Sequence, residues 1–142
     1  MSAPSDPAPD RDAGLVALRP TVEADPDRAA TPLEAFLHRT LRPVLKLQND
    51  ALLALVAAHV GGLVKGFSGF APDDRRERLA AMLKTDSRLK RMLLGVVLGA
   101  LTADELAFAL AHEADVRRRV VALVAERVAG QADAVARLVA GA

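Results

Sequence analysis

"HVGGLVKGFSGF", His59 to Phe70, holds four glycines, a lysine and a serine. Read one way, it is a phosphate-cradling loop between a strand and a helix. Read the other way, it is the place where one helix stops and the next begins. The phosphate-loop pattern needs G-x-x-x-x-G-K-[ST] after a strand. Here Lys65 precedes Gly66, Phe67 follows it, and no strand leads in. The dinucleotide pattern G-x-G-x-x-G is absent as well. Gly66 and Gly69 therefore read as helix-end and turn positions that need positive φ. Phe67 and Phe70 read as the residues that pin this turn to the core.

Working outward, both flanks carry helical signals. Upstream, "TPLE" (Thr31–Glu34) places Thr at the N-cap, Pro at the first helical position and Glu at the third, a capping box with a pre-set first turn. Apolar residues then recur at helical spacing through Leu33, Phe36, Leu37, Leu41, Val44, Leu52, Leu55, Val56 and Leu63. Pro43 lacks an N–H and clashes with the preceding turn, so it divides this run into a helix to about residue 41 and another over about 43–64. Downstream, Pro72, Asp73 and Asp74 open a helix whose buried face is Leu79, Met82 and Leu83. Asp86 is the candidate N-cap of the next. "TADE" (Thr102–Glu105) is a second capping box. Val116, Val120, Leu123, Val124 and Val128 mark a further helix, Gly130 stops it, and residues 131–139 form a short last one. No segment alternates as a strand does. The predicted fold is all-α: a bundle of six or seven short helices over residues 31–142, preceded by an acidic, proline-rich tail at 1–30, disordered or loosely docked.

Composition narrows the function classes. The chain is 51% hydrophobic, enough for a sizeable core, and that core is aliphatic: there is no Trp, no Tyr and only four Phe. Stacking platforms for bases or sugars need aromatic faces and are nearly excluded. With no cysteine, disulfides, thiolate nucleophiles and cysteine metal sites are excluded outright. Net charge is +1, but residues 1–30 carry three Arg against six Asp/Glu while the remainder carries sixteen Lys/Arg against twelve. The tail also holds five of the eight prolines, and its one apolar patch, "GLVALRP" (Gly14–Pro20), is the segment expected to dock. "MSAPSDPAPDRD" shows neither the basic nor the apolar region of a secretory signal. The longest apolar runs, residues 51–58 and 92–101, are too short for a bilayer span of about 20 residues. The expected location is cytoplasmic.

Candidate functional residues are few. His59 falls among the apolar positions of its helix, as a hydrogen-bonded core residue, a proton carrier or a ligand. The other histidines are His38 and His112, and "HEAD" at His112 is not a zinc-binding H-E-x-x-H, because residue 116 is Val. The helix from about Ser87 is apolar over roughly two-thirds of its circumference. Gly95 and Gly99 occupy the remaining side, near Arg88 and Arg91. Each glycine costs about 1 kcal/mol in a helix interior, so this reads as a buried central helix crossed closely over its glycines, or as an interface helix. Phe108 lies opposite the expected buried side of its own helix (Ala103, Leu106, Ala107, Leu110) and is a candidate partner contact. Arg75, Arg76, Arg78, Lys84, Arg88, Lys90 and Arg91 form the densest basic stretch and are the candidate phosphate-contacting face. Arg117, Arg118 and Arg119 diverge by about 100° each and do not make one patch. No nucleophile or acid–base motif supports an enzyme, and no cofactor is implied. The leading expectation is a protein-interaction module, adaptor or assembly subunit, with a protein partner or a second copy meeting Phe108, Gly95 and Gly99. The alternatives are nucleic-acid association through residues 75–91, and small-ligand or metal binding around His59.

Overall fold

Two threonines start helices in different ways. At Thr102 the capping box is complete: Oγ1 accepts from the Glu105 N–H (3.2 Å) and Glu105 Oε1 accepts from the Thr102 N–H (2.8 Å). At Thr31 only half of it forms. Oγ1 accepts from the Glu34 N–H (3.1 Å), but the Glu34 carboxylate turns away to Arg119 (3.0 Å) and so ties the start of the bundle to a distant helix.

These helices belong to an all-α computed structural model that describes residues 10–22 and 31–141. The α segments are α1 (Arg11–Leu18), α2 (Pro32–Phe36), α3 (Arg42–Leu47), α4 (Asn49–Leu63), α5 (Pro72–Thr85), α6 (Ser87–Leu98), α7 (Ala103–Ala111), α8 (Glu113–Ala129) and α9 (Ala132–Gly141). A π-helical stretch, Leu37–Leu41, makes α2 and α3 one continuous run. From residue 31 onward this gives seven helices, within the six or seven expected; α1 is additional.

Pro43 does not break the chain where expected. The π stretch immediately before it widens the turn, and Pro43 falls in the first turn of α3, where its missing N–H is not needed. The break comes instead at Gln48, between α3 and α4. Asn49 and Gln131 then exchange amide hydrogen bonds (3.0 and 2.7 Å), joining the start of α4 to the start of α9.

The core is organised on α8. Val116, Val120, Val124 and Val128 recur every fourth residue and are all buried. Around them α8 contacts α4, α5, α6, α7 and α9. The helix expected at the centre, α6, lies at an edge: within it only Leu89, Leu93 and Val97 are buried, and Met92 and Gly95 are exposed. Its apolar arc is wide, but a wide arc states only what a helix can bury. The buried side of α4 is also rotated from expectation. Leu52, Leu53, Val56, Ala57 and Val60 are buried, while Leu63 is 64% exposed. That helix is apolar nearly all round, so its periodicity selects no face, and the approach of α9, with Val139 beside Gly61, selects one.

Within the opening stretch, Gly66 has φ +75°, ends the α4 connection in the left-handed region and is the one positive-φ glycine among the described residues. Gly69 sits in a single 3-10 turn, Phe67–Gly69, and needs no such freedom. Phe67 is buried; Phe70, half-buried, packs 5.8 Å from it.

Residues 1–9 and 23–30 of the expected tail lie outside the described residues. The part between them is helical, and it docks by its charges rather than by its apolar patch. Helix α1 buries none of its residues, and Val16 and Leu18 are 51% and 65% exposed. Arg11 donates to the carbonyls of Gly99 (3.0 Å) and Leu101 (3.2 Å), at the C-terminal end of α6. Asp12 accepts from the Ala103 N–H (3.2 Å), at the N-terminal end of α7. Arg19 forks onto Glu105 (2.8 and 2.5 Å) and reaches the Ala100 carbonyl (3.3 Å). Cations meet the negative end of one helix dipole and a carboxylate meets the positive end of the next.

Two outcomes follow for stability. Gly66→Ala lowers the unfolding free energy by about 1 kcal/mol or more in urea titration, whereas Gly69→Ala is neutral or slightly stabilising. The Arg19 guanidinium, followed by the Thr102 N–H, holds the Glu105 carboxyl below its ordinary 4.5, at about 2. A depressed folded value stabilises the fold above the unfolded value and loses that stabilisation as pH falls. Arg19→Ala therefore costs about 2 kcal/mol at pH 7, and its gap from wild type narrows between about pH 4.5 and 2 in thermal scans.

Candidate functional site

His59 is not a core residue. Its side chain is 16% exposed, and Nε2 donates to Asp86 Oδ2 at 2.7 Å. Asp86 caps α6 with its other oxygen, which accepts from the Leu89 N–H (2.9 Å). The Leu89 bond and then the His59 bond hold the Asp86 carboxyl below its ordinary range. His59 thus clamps the end of α4 to the start of α6. No group of three His, Cys, Asp or Glu side chains that would hold a metal occurs among the described residues. His38 stands 3.7 Å from Glu34, and His112 lies against the Phe108 ring (4.4 Å). Glu105 and Glu113, which share a stretch of chain with His112, are engaged by Arg19 and Arg117.

Both ends of α6 are therefore tied by remote side chains. At its C-terminal end, Gln48 Nε2 donates to the Val96 carbonyl (3.0 Å), and Arg11 and Arg19 take Gly99, Ala100 and Leu101. No helix crosses Gly95: a Cβ built there meets nothing within 4 Å. Gly99 is the C-cap: the backbone facing its α-carbon is that of its own helix, the Gly95 and Val96 carbonyls, and Arg11 donates to its carbonyl.

Phe108 is not the exposed residue of α7. It is half-buried and stacks on Phe36 with ring centroids 4.7 Å apart; Leu110, expected inside, is 60% exposed. The α2 run supplies an aromatic partner that the periodicity of α7 cannot anticipate.

The basic stretch 75–91 is divided by the fold. Arg75 donates to the Ser68 carbonyl (2.6 Å) and to Asp133 (3.1 Å), and Arg78 covers the Phe70 ring at 5.6 Å. Arg76, Lys84 and Arg88 are exposed. Lys90, whose Nζ donates to the Lys84 carbonyl (3.1 Å), and Arg91 line a groove of about 440 Å³ between α6 and α8. The opposite wall is Arg117 and Arg118; Ser87 sits on the rim, and Leu94 and Val121 are the apolar lining. Arg117, Arg118 and Arg119 do diverge, to Glu113 (2.9 Å), Asp115 (2.9 Å) and Glu34 (3.0 Å). Two of them nevertheless meet the α6 cations across the groove. Sequence reasoning separates these four cations because the packing of α6 on α8 is what joins them.

No known protein family, curated protein or solved structure matches this chain.

The His59–Asp86 clamp has a measurable signature. His59→Leu and Asp86→Ala each lower the thermal midpoint at pH 7, and His59→Leu has little further effect in the Asp86→Ala background. Because the Asp86 carboxyl is depressed, the clamp's contribution is present above its ordinary 3.8 and fades as the solution is acidified below it.

Proposed function

We propose that this chain is a non-enzymatic helical interaction module, an adaptor or assembly subunit, and that it engages its protein partner at the groove between α6 and α8. The observation that carries the reading is that four cations converge over an apolar floor with no carboxylate in the lining. Like charges on facing helices repel one another, and the exposed pairs of Arg117 with Glu113 and Arg118 with Asp115 add little to the fold. The same crowding focuses the field on a partner of opposite sign. The clamps at both ends of α6 keep this face rigid, which lowers the ordering cost of binding.

Site-specific photo-crosslinking tests this. A crosslinker at Ser87, on the groove rim, and a control at Ala80, exposed on α5, are compared in cells. The expected result is one protein captured from position 87 and not from position 80, whose purified form binds the purified chain. Equal capture at both positions, or a captured protein that does not bind when purified, removes the reading.

A further inference from the structure

Resting on that module reading, the structure assigns a chemistry to the partner: we infer that the α6–α8 groove receives an acidic, amphipathic segment of another protein, with carboxylates set against Lys90, Arg91, Arg117 and Arg118 and an apolar side chain seated on Leu94 and Val121.

Three features of the groove favour a protein segment over a nucleic acid. The first is its floor. Leu94 and Val121 are half-buried aliphatic side chains that bury an apolar anchor and offer a phosphate backbone nothing. The second is the placement of the aromatics. Phe36 and Phe108 pack on each other, and Phe67 and Phe70 pack together in the α4–α5 connection, so none lines the groove as a stacking platform for a base. The third is how the cations are held. Arg117 and Arg118 each already share a carboxylate on their own helix, Glu113 and Asp115. Such cations present a moderated, orientated charge, suited to exchanging one carboxylate for another. Lys90 and Arg91 have no carboxylate partner among the described residues, and they supply the unmatched charge.

The groove's lining suits an amphipathic helix. Lys90 and Leu94 are four residues apart on α6, as are Arg117 and Val121 on α8. Each wall therefore sets a cation one turn from an apolar residue. An occupant that matches both walls alternates acidic and apolar positions with the same one-turn pitch, the pattern of helix-in-groove recognition. Rim charges of this kind set orientation and association rate, while the apolar anchor sets residence.

Fluorescence anisotropy with the full chain tests the inference. The probes are a helical peptide with glutamate and leucine one turn apart, a poly-glutamate peptide of equal charge, and a random-sequence DNA duplex. The expected order is amphipathic peptide tightest, then poly-glutamate, then DNA. The paired change Arg91→Glu with Arg117→Glu weakens the amphipathic peptide at least about ten-fold. Val121→Ser weakens it and leaves poly-glutamate unchanged, and Arg76→Glu on α5 weakens neither. Arg91→Lys with Arg117→Lys restores binding, which separates loss of charge from loss of fold. An amphipathic peptide that fails to bind, that binds no better than poly-glutamate, or that ignores the groove changes overturns the inference. Tighter, steeply salt-dependent DNA binding lost in the same variants puts a nucleic acid in the groove instead. A crosslinked partner whose affinity survives Arg91→Glu leaves the module reading standing and overturns only the acidic segment. Peptide binding at the groove with no protein captured there does the reverse.

Discussion

Four valines set one turn apart on α8 are the contact from which the rest of the bundle takes its position. Val116, Val120, Val124 and Val128 form a single stiff ridge, because β-branched side chains on a helix hold essentially one rotamer. Burying each contributes about 1.5 kcal/mol or more. Their sum is on the order of a domain's whole net stability. The ridge is narrow, yet α8 touches five other helices. What lets so narrow a stripe serve them all is the half-buried margin around it, Leu123 and Ala125, which meets neighbours from the sides. The cationic residues on this helix lie outside that stripe, and for that reason they remain available to line a surface.

With the centre taken by α8, α6 is left with one-sided packing, and its stability comes from its ends. Asp86 caps the start under the grip of His59, and Gln48, Arg11 and Arg19 satisfy carbonyls at the finish. Helix termini leave such groups without intrahelical partners, and each one satisfied from a distant segment converts an end effect into a tertiary tie. A glycine in mid-helix is tolerable under this arrangement. Gly95 weakens the local helix, but the segment is pinned on both sides of it.

The parts of the fold that were legible are those written in local chemistry. Thr102 with Glu105, Pro72, Asp86 and Gly66 act through neighbours within a turn or two, and the structure uses each of them as its residue type requires. The legibility fails where a helix offers more than one apolar side. In α4, α6 and α7 the periodicity leaves several faces open, and the choice is made by segments far away in sequence: α9 against Gly61, α8 against α6, Phe36 against Phe108. Pro43 fails for a related reason, since the widened turn that accommodates it is decided upstream, in Leu37–Leu41. The candidate groove was half legible. Lys90 and Arg91 belong to the basic stretch that stands out in the sequence, but Arg117 and Arg118 join them only through packing. His59 was visible as unusual; that its partner is the N-cap of another helix was not.

The purely polar docking of α1 gives the molecule a graded order of opening. A segment with no buried side chain has little apolar area holding it shut, so it belongs to the low end of the local stability range and exchanges its amide protons before the bundle does. Salt acts unevenly on its three attachments. Arg11 and Asp12 are solvent-facing and are screened first, while the largely buried Arg19–Glu105 fork resists screening. The segment therefore peels from its N-terminal side and pivots on Arg19. Peeling frees the carbonyls of Gly99 and Leu101 while the Thr102–Glu105 box stays closed. The end of α6 consequently loses two of its ties before α7 loosens, while Arg19 keeps its hold on the Ala100 carbonyl.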